Sequence, residues 1–320
     1  MQINPCRICG NAEFRYLFDG KDRLYHLAGS FKLYRCCRCG LILIYPVLSE
    51  QDLSGFYPSN YYSYESSGLV TVRRTLKEKI LYYLRHPIEA LNCILYSKLL
   101  GQNRDLPTGP FSRVLDIGCG EGRYLLEKRQ TGAQCFGVDI SEAALERLRK
   151  IDPTISTYCG NVWGAAYPDD YFDLVNLCHV LEHVIDINRL LAEIKRALKQ
   201  GGLLRIQVPN AASLSFRIFG KYWMPLDVPR HVYVFSAGNL EALFKNAGLQ
   251  IVSCRTLENS FSVIGSSLYV LNELFRRKIE LMRHEHVWNN EFLKLLFFPY
   301  ALLVNLFRLG DSIEFILKKP

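Results

Sequence analysis

The stretch FSRVLDIGCGEGRYLLEKRQTGAQCFGVDIS, residues 111 to 141, constrains the fold more than any other part of the chain. RVLDIG reads as a short buried strand, Gly118, Gly120 and Gly122 as a tight turn, RYLLEKRQ as a helix, and AQCFGVD as a second strand ending in Asp139. Glycines at alternate positions let a ligand approach the backbone at the amino end of a helix. An acid at the end of the second strand is placed to accept both hydroxyls of a ribose. Together these features describe a nucleoside-binding crevice, and the alternation of strands and helices that follows predicts an α/β doubly wound sheet with its ligand at the strands' carboxyl ends.

A dinucleotide fingerprint would read Gly-x-Gly-x-x-Gly. Here the order is Asp-x-Gly-x-Gly-x-Gly, and VLDIGCGEG resembles the first motif of the class I S-adenosylmethionine-dependent methyltransferases. The resemblance implies a Rossmann-like methyltransferase sheet. It implies that the backbone from Gly118 through Cys119 to Gly120 meets the methionine part of the donor, with Gly122 completing the turn. Asp116 would orient the ammonium group, Asp139 would bind the ribose beside Ile140, and Asn161 and Val162 would form the adenine loop. Many family members carry Asp where this chain has Asn161; an amide oxygen still accepts from the adenine amino group. DINRLLAEIKRALKQGGLLRIQVPN reads as an amphipathic helix capped by Gly201 and Gly202, then a fifth strand. GLQIVSCRTLE and SIEFILKK match the family's closing pair of strands, which makes residues 259 to 310 an insertion between them.

CRICG at 6 to 10 and CCRCG at 36 to 40 repeat one pattern, two cysteines separated by two residues and followed by glycine. Such turns aim paired thiolates at one ion, so Cys6, Cys9, Cys36 and Cys39 are expected to close a tetrahedral structural Zn²⁺ site, with Cys37 spare. FRYLFDG and FKLYR between them have the flavour of short strands, and the unit reads as a zinc ribbon. A four-thiolate site has no open position for substrate, so its expected role is to fold a segment too small to hold a core unaided.

NLCHVLEHVIDI, residues 176 to 187, raises a sharper question. If a strand ends near Cys178 and a helix follows, spacings of three and four put His179, Glu182 and His183 on one face, at the end of the fourth strand, where acceptor chemistry belongs. His231, after the fifth strand, would fold back to join them before a helix started by Ser236. The pattern His-x-x-Glu-His with a distant His is similar to the Glu-x-x-Glu-His arrangement of ubiquinone-pathway O-methyltransferases and small-RNA ribose methyltransferases. That resemblance implies a second divalent metal held by these residues, softer than Mg²⁺ because His179 replaces a carboxylate. General-base catalysis by an imidazole, and a purely structural role for Glu182 and His183, are the competing readings.

The remaining expectations are broader. The formal charge of +8 on 320 residues favours an anionic partner but leaves no run of cations long enough to favour nucleic acid. The first ten residues lack the apolar core of a secretory signal, and the odd count of eleven cysteines fits reduced thiols, so the expected location is the cytoplasm. FLKLLFFPYALLVNLF, residues 292 to 307, is shorter than the roughly 20 residues of a membrane span, but could lie on the inner face of a bilayer. The predicted organisation is a ribbon over 1–45, a helical and tyrosine-rich lid over 46–108 that includes Tyr57, Tyr61 and Tyr62, a donor-binding domain over 109–258 and 311–320, and a helical insertion over 259–310 that shapes the acceptor site. The ribbon followed by FYPSNYYSY also resembles bacterial sugar and glycan methyltransferases. The expected reaction is therefore methyl transfer to a small-molecule, sugar or glycan-lipid acceptor, at oxygen. A nucleotide-sugar C-methyltransferase, an RNA ribose methyltransferase and a non-catalytic binding protein are the alternatives.

Overall fold

The computed structural model describes residues 3–58, 84–85, 87–95, 111–258, 261–275 and 290–320. The chain opens with three antiparallel strands, β1 (Phe14–Gly20), β2 (Phe31–Cys36) and β3 (Ile42–Tyr45), followed by a short helix α1 (Glu50–Ser54) capped by Ser49. Of the helical lid expected over 46–108, α2 (Pro87–Ile94) is seen, and residues 59–83, 86 and 96–108, Tyr61 and Tyr62 among them, lie outside the described residues.

The alternating part then builds the main sheet. It comprises β4 (Arg113–Ile117), α3 (Arg123–Arg129), β5 (Gln134–Asp139), α4 (Glu142–Ile151), β6 (Ser156–Cys159), β7 (Phe172–Cys178), α5 (Ile187–Ala197) and β8 (Leu198–Pro209). After these come α6 (Leu214–Phe219), β9 (Tyr233–Val234), α7 (Ala237–Asn246), β10 (Gln250–Leu257), α8 (Phe261–Leu274), α9 (Glu291–Leu306) and β11 (Ser312–Lys318). The seven strands lie in the order β10-β11-β8-β7-β4-β5-β6; β6 through β8 are mutually parallel and β11 runs antiparallel to both neighbours. The fold is the Rossmann-like α/β sheet that the glycine turn implied. β10 and β11 pair as the closing strands.

Local chemistry explains the element ends. Ser141 accepts from the Ala144 amide and Asp186 from the Arg189 amide, each satisfying a donor that the first helical turn leaves open. Ser236 and Asn239 form a reciprocal capping box at the start of α7. The apolar stripe of α5, Ile187, Leu190, Leu191 and Ile194, is buried against the sheet. One expectation fails here. Gly201 and Gly202 do not cap α5, which stops at Ala197 and passes directly into β8; the glycines instead lie in an irregularity between the pairs Phe172–Leu198 and Leu174–Leu203, where the backbone needs a positive φ of 74° at Gly201.

The front strands do not form a free-standing ribbon. Their sheet has the order β1-β2-β3-β9, so its fourth strand comes from residues 233 and 234. A second hydrophobic core lies behind it, where Phe31, Leu33, Ile42 and Ile44 meet Phe216, Trp223, Leu226 and Val228. A buried ion cluster locks the joint: Arg230 pairs with Asp22 at 2.9 Å and Asp227 at 2.6 Å, and donates to the Phe56 carbonyl at 3.0 Å.

Candidate functional site

The donor half follows from the glycine turn. Gly118, Gly120 and Gly122 all have positive φ. A side chain at Gly118 would put its Cβ 2.3 Å from Val180 Cγ2, so only glycine lets the turn approach the loop beyond β7. Asp139 holds the turn shut: one carboxylate oxygen accepts from the Gly120 amide and the other from the Ser141 amide, each at 2.8 Å. Each oxygen keeps a second lone pair. Ile140, 60% exposed, offers an apolar surface beside it, and Val162 is buried under the loop that carries Asn161.

Asp116 points into the sheet's polar face. Its Oδ1 accepts from Asn176 at 2.6 Å, Asn176 Oδ1 accepts from Arg205 at 2.9 Å, and Arg205 pairs with Glu314, which also holds Arg255. Burial pushes the Asp116 carboxyl up to about 7, against the pull of Asn176 and Arg205. This ladder crosses β4, β7, β8, β11 and β10. The sequence reading missed all of it beyond Asp116; the available signal was one polar residue inside each apolar run, Asn176 in LVNLC, Arg205 in LLRIQV and Glu314 in SIEFIL.

The acceptor half corrects the expected geometry. No α-helix carries His179, Glu182 and His183: between β7 and α5 lies a single 3-10 turn, Leu181–His183, entered through His179 at a φ of 54°. The four expected residues still converge, around Glu182. Its Oε1 lies 3.2 Å from His179 Nδ1 and 3.9 Å from His231 Nε2, and the rings of His183 and His231 meet edge to face at 4.5 Å. A cavity of about 800 Å³ opens beside them, lined by Asp116, Gly118, His179 and His231 together with Leu24 from the front strands and Ser262 from the insertion. His183 sits behind that wall, where burial and the neighbouring His231 bring its pKa down to about 4 and keep it neutral.

Hydrogen-bond partners fix the tautomers. A carbonyl can only accept, so His183 Nδ1 donates to Arg230 O at 3.1 Å and His231 Nδ1 to Pro225 O at 2.7 Å, which leaves both Nε2 atoms as lone-pair donors. Tyr57 also reaches His183 Nδ1, at 2.9 Å. Arg205 donates to Gln207 Oε1 at 3.0 Å, which turns the Gln207 amide nitrogen towards His179 Nε2, 3.3 Å away. His179 therefore carries its proton on Nδ1, facing Glu182, and presents its Nε2 lone pair on the cavity side.

Two groups fit a metal. Cys6, Cys9, Cys36 and Cys39 have all four sulfurs within 4.8 Å of one another, and amide bonds from Gly10 to Cys6 O and from Gly40 to Cys36 O close the paired turns. Despite burial, amides of Cys39 and Arg38 draw the Cys36 thiol below its ordinary value, in the direction that favours the thiolate a metal needs. Cys37 is exposed and outside the cluster. Glu182, His183 and His231 form the second group; His179 is not part of it. Glu182 Oε2 is buried without a hydrogen-bond partner, and carbonyls orient both imidazoles from behind, as metal-binding histidines require.

A family model described as a methyltransferase domain matches residues 80–254. The ubiquinone biosynthesis O-methyltransferase of Ruegeria sp. is 32% identical over 174 residues, 49% of this chain and 69% of its own length. A demethylmenaquinone methyltransferase of Lysinibacillus sphaericus is 29% identical over 170 residues, 45% of this chain and 72% of its own. A solved S-adenosylmethionine-dependent methyltransferase from Archaeoglobus fulgidus is similar over 75% of this chain and 99% of that one, with 19% identity and a TM-score of 0.45. Among curated relatives, the share of their own length that this chain spans runs from 47% to 72%.

Proposed function

The chain belongs to the methyltransferase-domain family, and on that premise we propose that it transfers a methyl group from S-adenosylmethionine to a hydroxyl oxygen of a small sugar or glycan-lipid acceptor. The observation that carries the reading is His179, an imidazole on the cavity wall with a buried carboxylate behind its protonated nitrogen and an Nε2 lone pair that meets the Gln207 side-chain amide, a contact the acceptor hydroxyl would replace. The bound donor would supply an activated sulfonium methyl, and in-line attack by a held nucleophile needs little beyond orientation. A hydroxyl is the nucleophile that gains most from a base.

The chain's own parts divide the work. Gly118, Cys119 and Gly120 would cradle the methionine part, Asp116 its ammonium, Asp139 the ribose hydroxyls and the Asn161–Val162 loop the adenine. His179 Nε2 would take the hydroxyl proton, and Glu182 would stabilise the resulting imidazolium through Nδ1–H. Leu24 and Ser262 border the same cavity, so the front strands and the insertion would shape the acceptor's pocket. The test is turnover of labelled donor against a panel of hydroxylated sugars and lipid-linked glycans. His179→Ala should lower kcat by about 10² to 10⁴ with donor affinity intact; unchanged turnover would remove the base.

A second reading of the same centre is supported by the unpartnered Glu182 oxygen. Glu182, His183 and His231 would hold a Zn²⁺, Mn²⁺ or Fe²⁺ ion, whose charge would acidify an acceptor hydroxyl. Metal analysis of purified protein separates the two: two ions per chain in the wild type, and one in His231→Ala, would favour this reading, whereas one in both would favour the metal-free base. Peripheral membrane contact belongs to the same proposal, because Phe292, Leu296, Leu303 and Phe307 lie exposed along one side of α9. No described helix is long and apolar enough to cross a membrane. Flotation with anionic liposomes, lost on changing Phe292 and Leu296 to Ser, checks that contact. Retention on immobilised RNA that vanishes with modest salt would instead favour a nucleic-acid substrate.

A further inference from the structure

A second cavity, of about 410 Å³, lies between the front sheet and α6, and none of the donor or acceptor residues lines it. Its walls are Leu17, Phe18 and Arg35 on one side and Ala211, Phe216 and Arg217 on the other. The volume is within the range of small-molecule pockets. Small residues keep it open: a Cβ at Gly40 or Gly220, both on its rim, would meet nothing within 4 Å.

Its charge is unbalanced. Arg35 stands directly opposite Arg15 in the β1–β2 ladder, so two guanidinium groups share one face of adjacent strands, an arrangement that costs stability unless something answers the charge. Arg217 adds a third cation from α6. Among the described residues no carboxylate pairs with Arg15, Arg35 or Arg217, whereas the buried Arg205 and Arg230 are each paired twice or more by ion or hydrogen bonds. Arg35 Nε is buried without any hydrogen-bond partner. Buried donors are normally satisfied. An arginine head group with no carboxylate partner beside apolar walls suits a phosphate better than water.

We propose that this junction binds a small phosphate ester, its phosphate on Arg35 and Arg217 and its carbon part on Leu17, Phe18 and Phe216. The two cations on the cavity wall, Arg35 and Arg217, suit a dianion better than a single carboxylate, and the aromatic walls suit a flat or apolar substituent. Such a ligand would bridge the two halves of the molecule, since the two arginines belong to different sheets' neighbourhoods.

The test is calorimetry with phenyl phosphate and inorganic phosphate on the zinc-loaded full chain, repeated on Arg35→Gln and Arg217→Gln. Zinc content and thermal melting serve as fold controls, and Arg217, remote in sequence from the cysteines, guards against a zinc-site artefact at Arg35. Saturable binding, tighter for phenyl phosphate and weakened by about tenfold or more in each variant, is expected from the loss of one charge-assisted fork. Absence of saturable binding at millimolar concentration, or wild-type affinity in either variant, overturns the assignment. Neither outcome depends on whether the chain binds a methyl donor.

Discussion

Arg205 donates in three directions, to Asn176, to Gln207 and to Glu314. The first arm ends at Asp116 and the second at His179, so one guanidinium orients both the carboxyl proposed to meet the donor and the imidazole proposed as the base. Arg205→Lys keeps the charge but loses the fork. It should leave the fold cooperative and lower kcat by roughly tenfold or more through misplacement of His179, a loss that single-turnover kinetics would expose. Asp116 supplies a pH prediction. With its carboxyl raised to about 7, it is protonated in the empty site at lower pH, and an ammonium group favours the ionised form. Affinity for S-adenosylhomocysteine should therefore rise as pH increases from about 5 to 7, by up to about tenfold per unit, and Asp116→Asn should flatten that slope in calorimetry. Asp116 itself was legible because a motif marks it. Arg205 and Glu314 were not, because their meeting depends on which strands are neighbours and in what register, and a linear pattern carries neither.

At the scale of elements, the glycine turn and the 3-10 turn touch. Val180 fills the space that a side chain at Gly118 would need, so the donor loop and the acceptor loop are packed as one unit. Gly118→Ala would combine an unfavourable positive φ with that clash. A loss of about 1 to 3 kcal/mol of stability in urea melts, together with loss of S-adenosylhomocysteine binding, is expected. The strand and helix pattern from 113 to 209 was readable because the central strands are short, nearly continuous apolar runs buried on both faces, while α4 and α5 bury one helical stripe. The 3-10 turn was not: three-and-four spacing describes a helix, but His179 adopts a left-handed conformation, with its amide bonded to the Gln207 carbonyl and its ring between Glu182 and the Gln207 side chain, contacts that a linear pattern does not carry. Likewise Gly201 and Gly202 looked like a helix stop and turned out to bend a strand.

Across the whole molecule, the front sheet and the histidine wall of the cavity are joined through Arg230. Arg230 carries the carbonyl that orients His183, its side chain is clasped by Asp22, and its neighbour is His231. Removing the expected zinc, by a strong chelator or by Cys9→Ser, should loosen the front strands and this clasp. Methyl transfer should then fall with little change in donor affinity, since Asp116, the glycine turn and Asp139 lie on the other sheet; parallel assays of turnover and of S-adenosylhomocysteine binding would separate the two. The cysteine spacing made four sulfurs around one point legible, but nothing in it announced that residues 233 and 234 complete the sheet.

That borrowed strand has a consequence for biogenesis. On the ribosome β1, β2 and β3 emerge early, yet β3 keeps a bare row of backbone donors and acceptors until residue 234 has been translated. The nascent segment must wait with an open edge, and any truncation before that point releases a polypeptide whose cysteine turns can form while its last lateral pairing cannot.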